Sequence, residues 1–277
     1  MTKSSLAFWG IAVAVGVAIC TSPAMSQTSR LDLIKQRGEF LAGVHYDYPP
    51  YGYIGTDGKP TGFVTEVAKY FADKLGVRLK YVEVTSQSRI PLIVNGNIDA
   101  EIAATTPTVE REQVVDFSIP YLWLGTTLLV PKDSDIKTAK DASAPKQIGA
   151  VQGGVLGDQF LQANPSGKLV YFQNYSQGVL AVKNKRVDGL AVSRDAAAAF
   201  LKENPDLKLM DGDFFRDQGA ITLPQNDSKW RNWVNQTLQE MWCKGVFQAA
   251  YEKYLGAAPN YALWSPYGLQ PGIKCSG

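Results

Sequence analysis

"RIPLIVNGNIDAEIAATTPTVERE", Arg89 to Glu112, packs a helix, a strand and a capped turn into one short run. Arg89–Gly96 has the apolar spacing of a short helix, and Asp99–Thr105 reads as a strand. Thr108 is a natural N-cap for a second helix over Val109–Val115. That cap places Arg111 in the first helical turn, at the positive end of the dipole, where a cation gains nothing structurally. The placement makes sense if an anion binds there. A guanidinium grips a carboxylate through two parallel hydrogen bonds, and Thr105 and Thr106 offer hydroxyls at the end of the preceding strand. From the residues alone, an ordinary surface arginine stays open as the alternative.

The same alternation continues on both sides. "FLAGVHY" (Phe40–Tyr46) reads as a strand. "VTEVAKYFADKLG" is a helix with Val64, Val67, Ala68, Phe71 and Leu75 on one face and Gly76 as its stop. "RLKYVEV" alternates like a strand. Beyond Tyr121 a second set begins: strand "QIGAVQGG", helix "VLGDQFLQAN", strand "LVYFQNY", helix "SQGVLAVKNKR", strand "VDGLAVS" and an Ala-rich helix from Asp195 to Lys202. "GDFFRDQGAITLP" reads as a return strand, followed by the helices "SKWRNWVNQTLQEMWCKG" and "VFQAAYEKYLG". Such β-α-β-α order defines an α/β architecture. Two chain crossings, near Thr127–Lys132 and Phe214–Ile221, predict a second domain inserted into the first.

The chain opens with Lys3 and the apolar run Leu6–Ile19, then the Ala24-x-Ser26 pattern of a cleavage site, so residues 1–26 read as an export signal. The run is short of the roughly 20 apolar residues that span a bilayer. The formal charge of +2 drops with the signal's lysine, and a near-neutral protein lacks the basic surface a nucleic-acid partner requires. Of three cysteines, Cys243 and Cys275 remain after cleavage. In an oxidising compartment that even number predicts one disulfide tying the last helices to the tail, worth about 3 kcal/mol on loop-entropy grounds. Two buried thiols are the alternative.

The inventory of reactive groups is thin. One histidine, His45, and no cluster at metal-ligand spacing argue against a zinc or Cys-His centre. No nucleophile elbow or phosphate loop appears, and no cofactor is expected. "GGVLG" (Gly153–Gly157) is either a tight turn or a set of backbone donors at a helix start.

"VTSQSRIPLIVNGNIDAEIAATTPTVEREQVVDFSIPY" (Val84–Tyr121) closely resembles the bacterial extracellular solute-binding proteins of the polar amino-acid class, most nearly the glutamate/aspartate-binding branch. "GVHYDYPPYGYIGTDGKPTGF", "AVQGG", "NKRVDGLAVSRD" and "MWCKGVFQAAYEKYLG" match in the same order, so the resemblance spans essentially the whole mature chain. It implies a type II periplasmic-binding fold of two lobes joined by two hinge strands. The expected division is a signal peptide at 1–26, a first lobe at 27–128 and 219–277, and a second at 129–218. It also implies a periplasmic, monomeric partner of an inner-membrane ABC permease that captures a small carboxylate or amino acid by hinge closure.

Residue by residue, the resemblance implies that Arg111 clamps the α-carboxylate, helped by Thr106 and the backbone near Ala104. Arg89 and Ser86 would hold a distal carboxylate. Tyr48 would be the aromatic wall, His45 a polar contact, and Gly154 and Val155 backbone donors from the second lobe. This sequence departs from the pattern at Ser193, where a carboxylate for the ligand's ammonium is usual, and at Tyr175, where the dicarboxylate branch has histidine. Either Asp195 takes over the ammonium, or the ligand is an organic acid without an α-amino group. An enzyme resembling cyclohexadienyl dehydratase on the same scaffold would have to use His45, Asp47 or Asp195 as its acid or base.

Overall fold

The computed structural model describes residues 28–259. The signal-peptide reading of 1–26 lies outside the described residues, as does Cys275, the expected partner of Cys243.

Two blocks of parallel strands carry the architecture. In the first, Glu39–Val44 lies between Arg78–Glu83 and Ala100–Thr105. In the second, Gln147–Val151 lies between Lys168–Phe172 and Gly189–Ser193. Each block is finished by one long antiparallel strand: Phe215–Pro224 on the first, Leu122–Pro131 on the second. The two long strands pair with each other from Phe215↔Thr126 to Gly219↔Leu122 and so join the blocks into one sheet path. This is the two-lobe α/β fold expected, with the second lobe inserted and two hinge strands between.

The register fixes which way each block points. Phe215–Pro224 holds the first block through Ala220↔Thr105 and Thr222↔Glu101, toward its own C-terminal end. Leu122–Pro131 holds the second through Ser193↔Thr126 to Leu190↔Leu129, again toward its C-terminal end. Because both attachments are antiparallel, the parallel strands of the two blocks run toward each other. Their carboxyl ends, at Val44, Thr105, Val151 and Ser193, therefore converge on one crevice, the place where open α/β sheets bind ligands.

The lobes are filled as the periodicity predicts. Helix Phe63–Leu75 buries Ala68 together with Phe63, Val64, Val67 and Phe71, the last four each worth about 1.5–3 kcal/mol when fully covered. It ends at Gly76, whose φ of 67° is the left-handed cap that glycine adopts without strain. Trp230 is fully buried, meets Phe40 edge-on and donates its indole N–H to the Asp99 carbonyl at 3.0 Å.

Three details differ from the sequence reading. The helix expected over Val109–Val115 stops at Glu112, because Val115 enters a short strand, Val115–Phe117, against Pro224–Thr222. Tertiary pairing of β-branched valine overrides a helix too short to hold itself. The hinge ladder begins at Leu122, earlier than the first crossing was placed. A small sheet of Asp47–Tyr48, Gly52–Ile54 and Pro60–Thr61 is additional, its strands of two or three residues giving no usable period.

Candidate functional site

Arg111 sits where the cap places it: Thr108 Oγ1 accepts from the Arg111 amide at 3.3 Å. Its guanidinium donates to the Thr106 carbonyl at 2.6 Å and, across the crevice, to the Gly153 carbonyl at 2.8 Å. Burial lowers its pKa to about 10, with the like charge of Arg89 acting in the same direction. The backbone ahead of it is strained, since Ala104 has φ 56°, a region that L-residues other than glycine rarely occupy. The Ala104 amide donates to the Tyr121 hydroxyl at 3.3 Å.

Arg89 has a different setting. It is 5% exposed, donates to Thr105 Oγ1 at 2.6 Å and faces the fully buried Glu101 at 3.7 Å. The Thr105 hydroxyl donates in turn to one Glu101 oxygen at 2.6 Å, and Thr222 donates to the other. The Nε of Arg89 is buried without a hydrogen-bond partner among the described residues.

The second lobe meets this surface through its own helix starts. The Ser193 hydroxyl caps the helix Arg194–Glu203 and accepts from the Tyr48 hydroxyl at 2.8 Å. Asp195, two residues on, accepts from Tyr51 at 2.8 Å, and burial pushes its carboxyl up despite that bond. Asp47 reaches from the first lobe to the start of the helix Tyr175–Lys183, accepting from the Tyr175 amide at 2.7 Å and the Ser176 amide at 3.3 Å. Burial raises the Asp47 carboxyl, but the nearby His45 ring and those two amides bring it below the usual range. His45 is 3% exposed, its Nδ1 lies 3.6 Å from Asp47 without a hydrogen bond, and its ring lies edge-on to Tyr48 and Tyr175.

Gly153 brings the backbone of the second lobe against that of the first at Ser86 and Gln87. With φ +78° it already requires glycine, and a Cβ there would lie 2.7 Å from Gln87 Cα and the Ser86 carbonyl oxygen. The expectation that Gly154 offers a free donor needs correction: its amide donates to the Val151 carbonyl at 3.0 Å, closing the turn.

Beside these contacts opens a cleft of about 910 Å³, lined by Thr106, Arg111, Gly153, Gly154, Val155 and Asp217 among others. Arg89, Ser86, Ala104, Tyr48, His45 and Ser193 are not in its lining; all six are buried. The Thr106 hydroxyl is spent on Asp217 Oδ2 at 2.6 Å, and Gln159 Nε2 donates to the same oxygen at 2.6 Å. Asp217 and Gln159 were missed in the sequence. The available signal was a carboxylate on the half-buried face of a return strand that also carries Phe215.

The crevice, the paired hinge strands and the Arg111 guanidinium in the cleft lining define a ligand-capturing two-lobe protein, and similarity to known proteins agrees. Residues 40–257 match the family model of bacterial extracellular solute-binding proteins, family 3, and the chain belongs to that family. It is 33% identical over 198 residues to a glutamine-binding protein of Geobacillus stearothermophilus, covering 70% of this chain and 76% of that one. To the L-cystine-binding protein of Escherichia coli K12 it is 31% identical over 257 residues, 91% of this chain and 95% of the other. Glutamate/aspartate-binding proteins are among the further matches. A solved structure of an ancestral amino acid-binding protein, described as a precursor of cyclohexadienyl dehydratase, superposes with a TM-score of 0.77 at 30% identity, covering 82% of this chain and all of that one. These relatives are named for the amino acids they bind; this chain is a solute-binding protein.

Proposed function

We propose that this is the periplasmic receptor of an ABC importer for a small amino acid, held by its α-carboxylate at Arg111. The supporting observation is electrostatic. Among the described residues the Arg111 guanidinium donates only to two carbonyl oxygens, beside a second guanidinium; Glu101 and Asp217 act on it through space, but neither stands within ion-pair distance, so a half-buried positive charge lacks a directly bonded carboxylate. Leaving such a charge uncompensated is costly, and a solute carboxylate offsets it. Closure then depends on contacts formed only when the lobes meet. In this reading the lobe limits are 27–128 with 219–277, and 129–218, residues 1–26 are a cleaved signal, and Cys243 pairs with Cys275.

A second reading has one observation behind it. The strand ends in Ser193, which carries no carboxylate to meet an ammonium, and its hydroxyl is already taken by Tyr48. An organic acid without an α-amino group fits that feature, whereas Asp195, close by and pushed toward its neutral form by burial, suits an amino acid that would restore its charge. A thermal-shift screen of amino acids against the matching deaminated acids decides between them. Stabilisation by the amino acids alone supports the first reading; stabilisation by both members of each pair supports the second.

A further inference from the structure

The ring of Tyr175 reaches out of the second lobe and stacks on Tyr48 of the first, with centroids 3.9 Å apart and planes 13° from parallel. At that spacing nothing fits between them. Both rings are 5% exposed, and His45 closes the open edge at 5.8 Å from Tyr48 and 6.0 Å from Tyr175. The main chain of Tyr175 is held as well, because its amide and that of Ser176 are bound by Asp47. Burial and the Asp47 charge raise the Tyr175 phenol, while the nearby charge of Arg89 and the hydroxyls of Tyr48 and Ser86 oppose that rise. The 910 Å³ cleft stops short of all these groups.

We propose that Tyr175 is a built-in plug: its side chain fills the Tyr48–Ser86–Arg89 end of the crevice, so that the lobes close on the protein's own phenol, and a solute reaches that end only by displacing it. This rests on the solute-binding reading and adds selectivity to it. A short solute held at Arg111 leaves the plug in place. A longer one with a distal carboxylate must expel the ring to reach Arg89, and its apparent affinity is reduced by the fraction of protein in the plugged form.

The test has two arms. Small-angle scattering of the solute-free full mature chain compares wild type, Tyr175→Ala and Tyr175→Phe. The plug predicts a compact wild type, an equally compact Phe variant that keeps the ring, and a larger radius of gyration for the Ala variant. Equal radii for wild type and Tyr175→Ala, or a Phe variant as open as Ala, would overturn it. Calorimetry with L-glutamate and L-alanine is the second arm. Tyr175→Ala should tighten L-glutamate by about tenfold more than L-alanine if roughly nine-tenths of the protein is plugged, and an equal change for both refutes the selectivity. Should neither amino acid bind any of the three proteins, the amino-acid reading fails, while the scattering arm still decides the plug.

Discussion

The crevice holds two arginines with opposite circumstances. Arg89 is enclosed and neutralised from within, by Glu101 directly and through Thr105. Arg111 stands at the open cleft and finds only carbonyl oxygens. The same side chain therefore serves as part of the fold's framework in one place and as an unmet charge in the other. What separates them, among the described residues, is whether a carboxylate stands within ion-pair distance.

Removing each arginine should separate these roles. Arg111→Ala should lose two charge-assisted hydrogen bonds to a bound carboxylate, about 3–6 kcal/mol together or some two to four orders of magnitude in calorimetric affinity, with the melting temperature of the solute-free protein nearly unchanged. A steep fall in that temperature would make Arg111 structural and erase the contrast. Arg89→Ala should leave Glu101 buried without its counter-charge and cost about 3–5 kcal/mol in denaturant unfolding. A stable Arg89→Ala protein would show that Glu101 does not depend on it.

Smaller effects probe how the lobes meet around these arginines. Gly153→Ala adds a Cβ against Gln87 and forces a left-handed alanine, roughly 1–2 kcal/mol of strain, so affinity should fall about tenfold while the first lobe stays intact by hydrogen exchange. The least effect is expected from Asp47. Its carboxyl is held below the usual range in the closed form, so the contact is fully present above the ordinary carboxylate pKa and is lost only as pH falls through the depressed value. Asp47→Asn should weaken closure by about 1 kcal/mol at neutral pH and flatten the acid limb of an affinity profile. An unchanged limb would assign it to another group.

Much of this was legible from local signals. Helix Phe63–Leu75 with its glycine stop, the strand ending at Thr105 and the Thr108 cap all follow from spacing and capping chemistry, which act within a few residues. Tyr175 stacking on Tyr48, Asp47 seated on a helix of the other lobe, and Thr106 turning its hydroxyl to Asp217 are contacts between distant parts of the chain. No local pattern encodes them. Asp47 illustrates the limit: its sequence marks it as an acid or base candidate, yet its carboxylate is committed to two backbone amides. Ser193 was located correctly at its strand end, but its partner was not foreseeable.

The long strands Leu122–Pro131 and Phe215–Pro224 touch each other over only five residue pairs before each departs into its own block. A two-stranded ribbon takes a larger twist than a wide sheet, so a change of twist over these five pairs turns one lobe against the other without breaking a rung. The backbone then sets the path of the motion and contributes little to where it rests. That resting point is left to a handful of side chains at the rim, and single substitutions there can retune the receptor while its framework stays as it is.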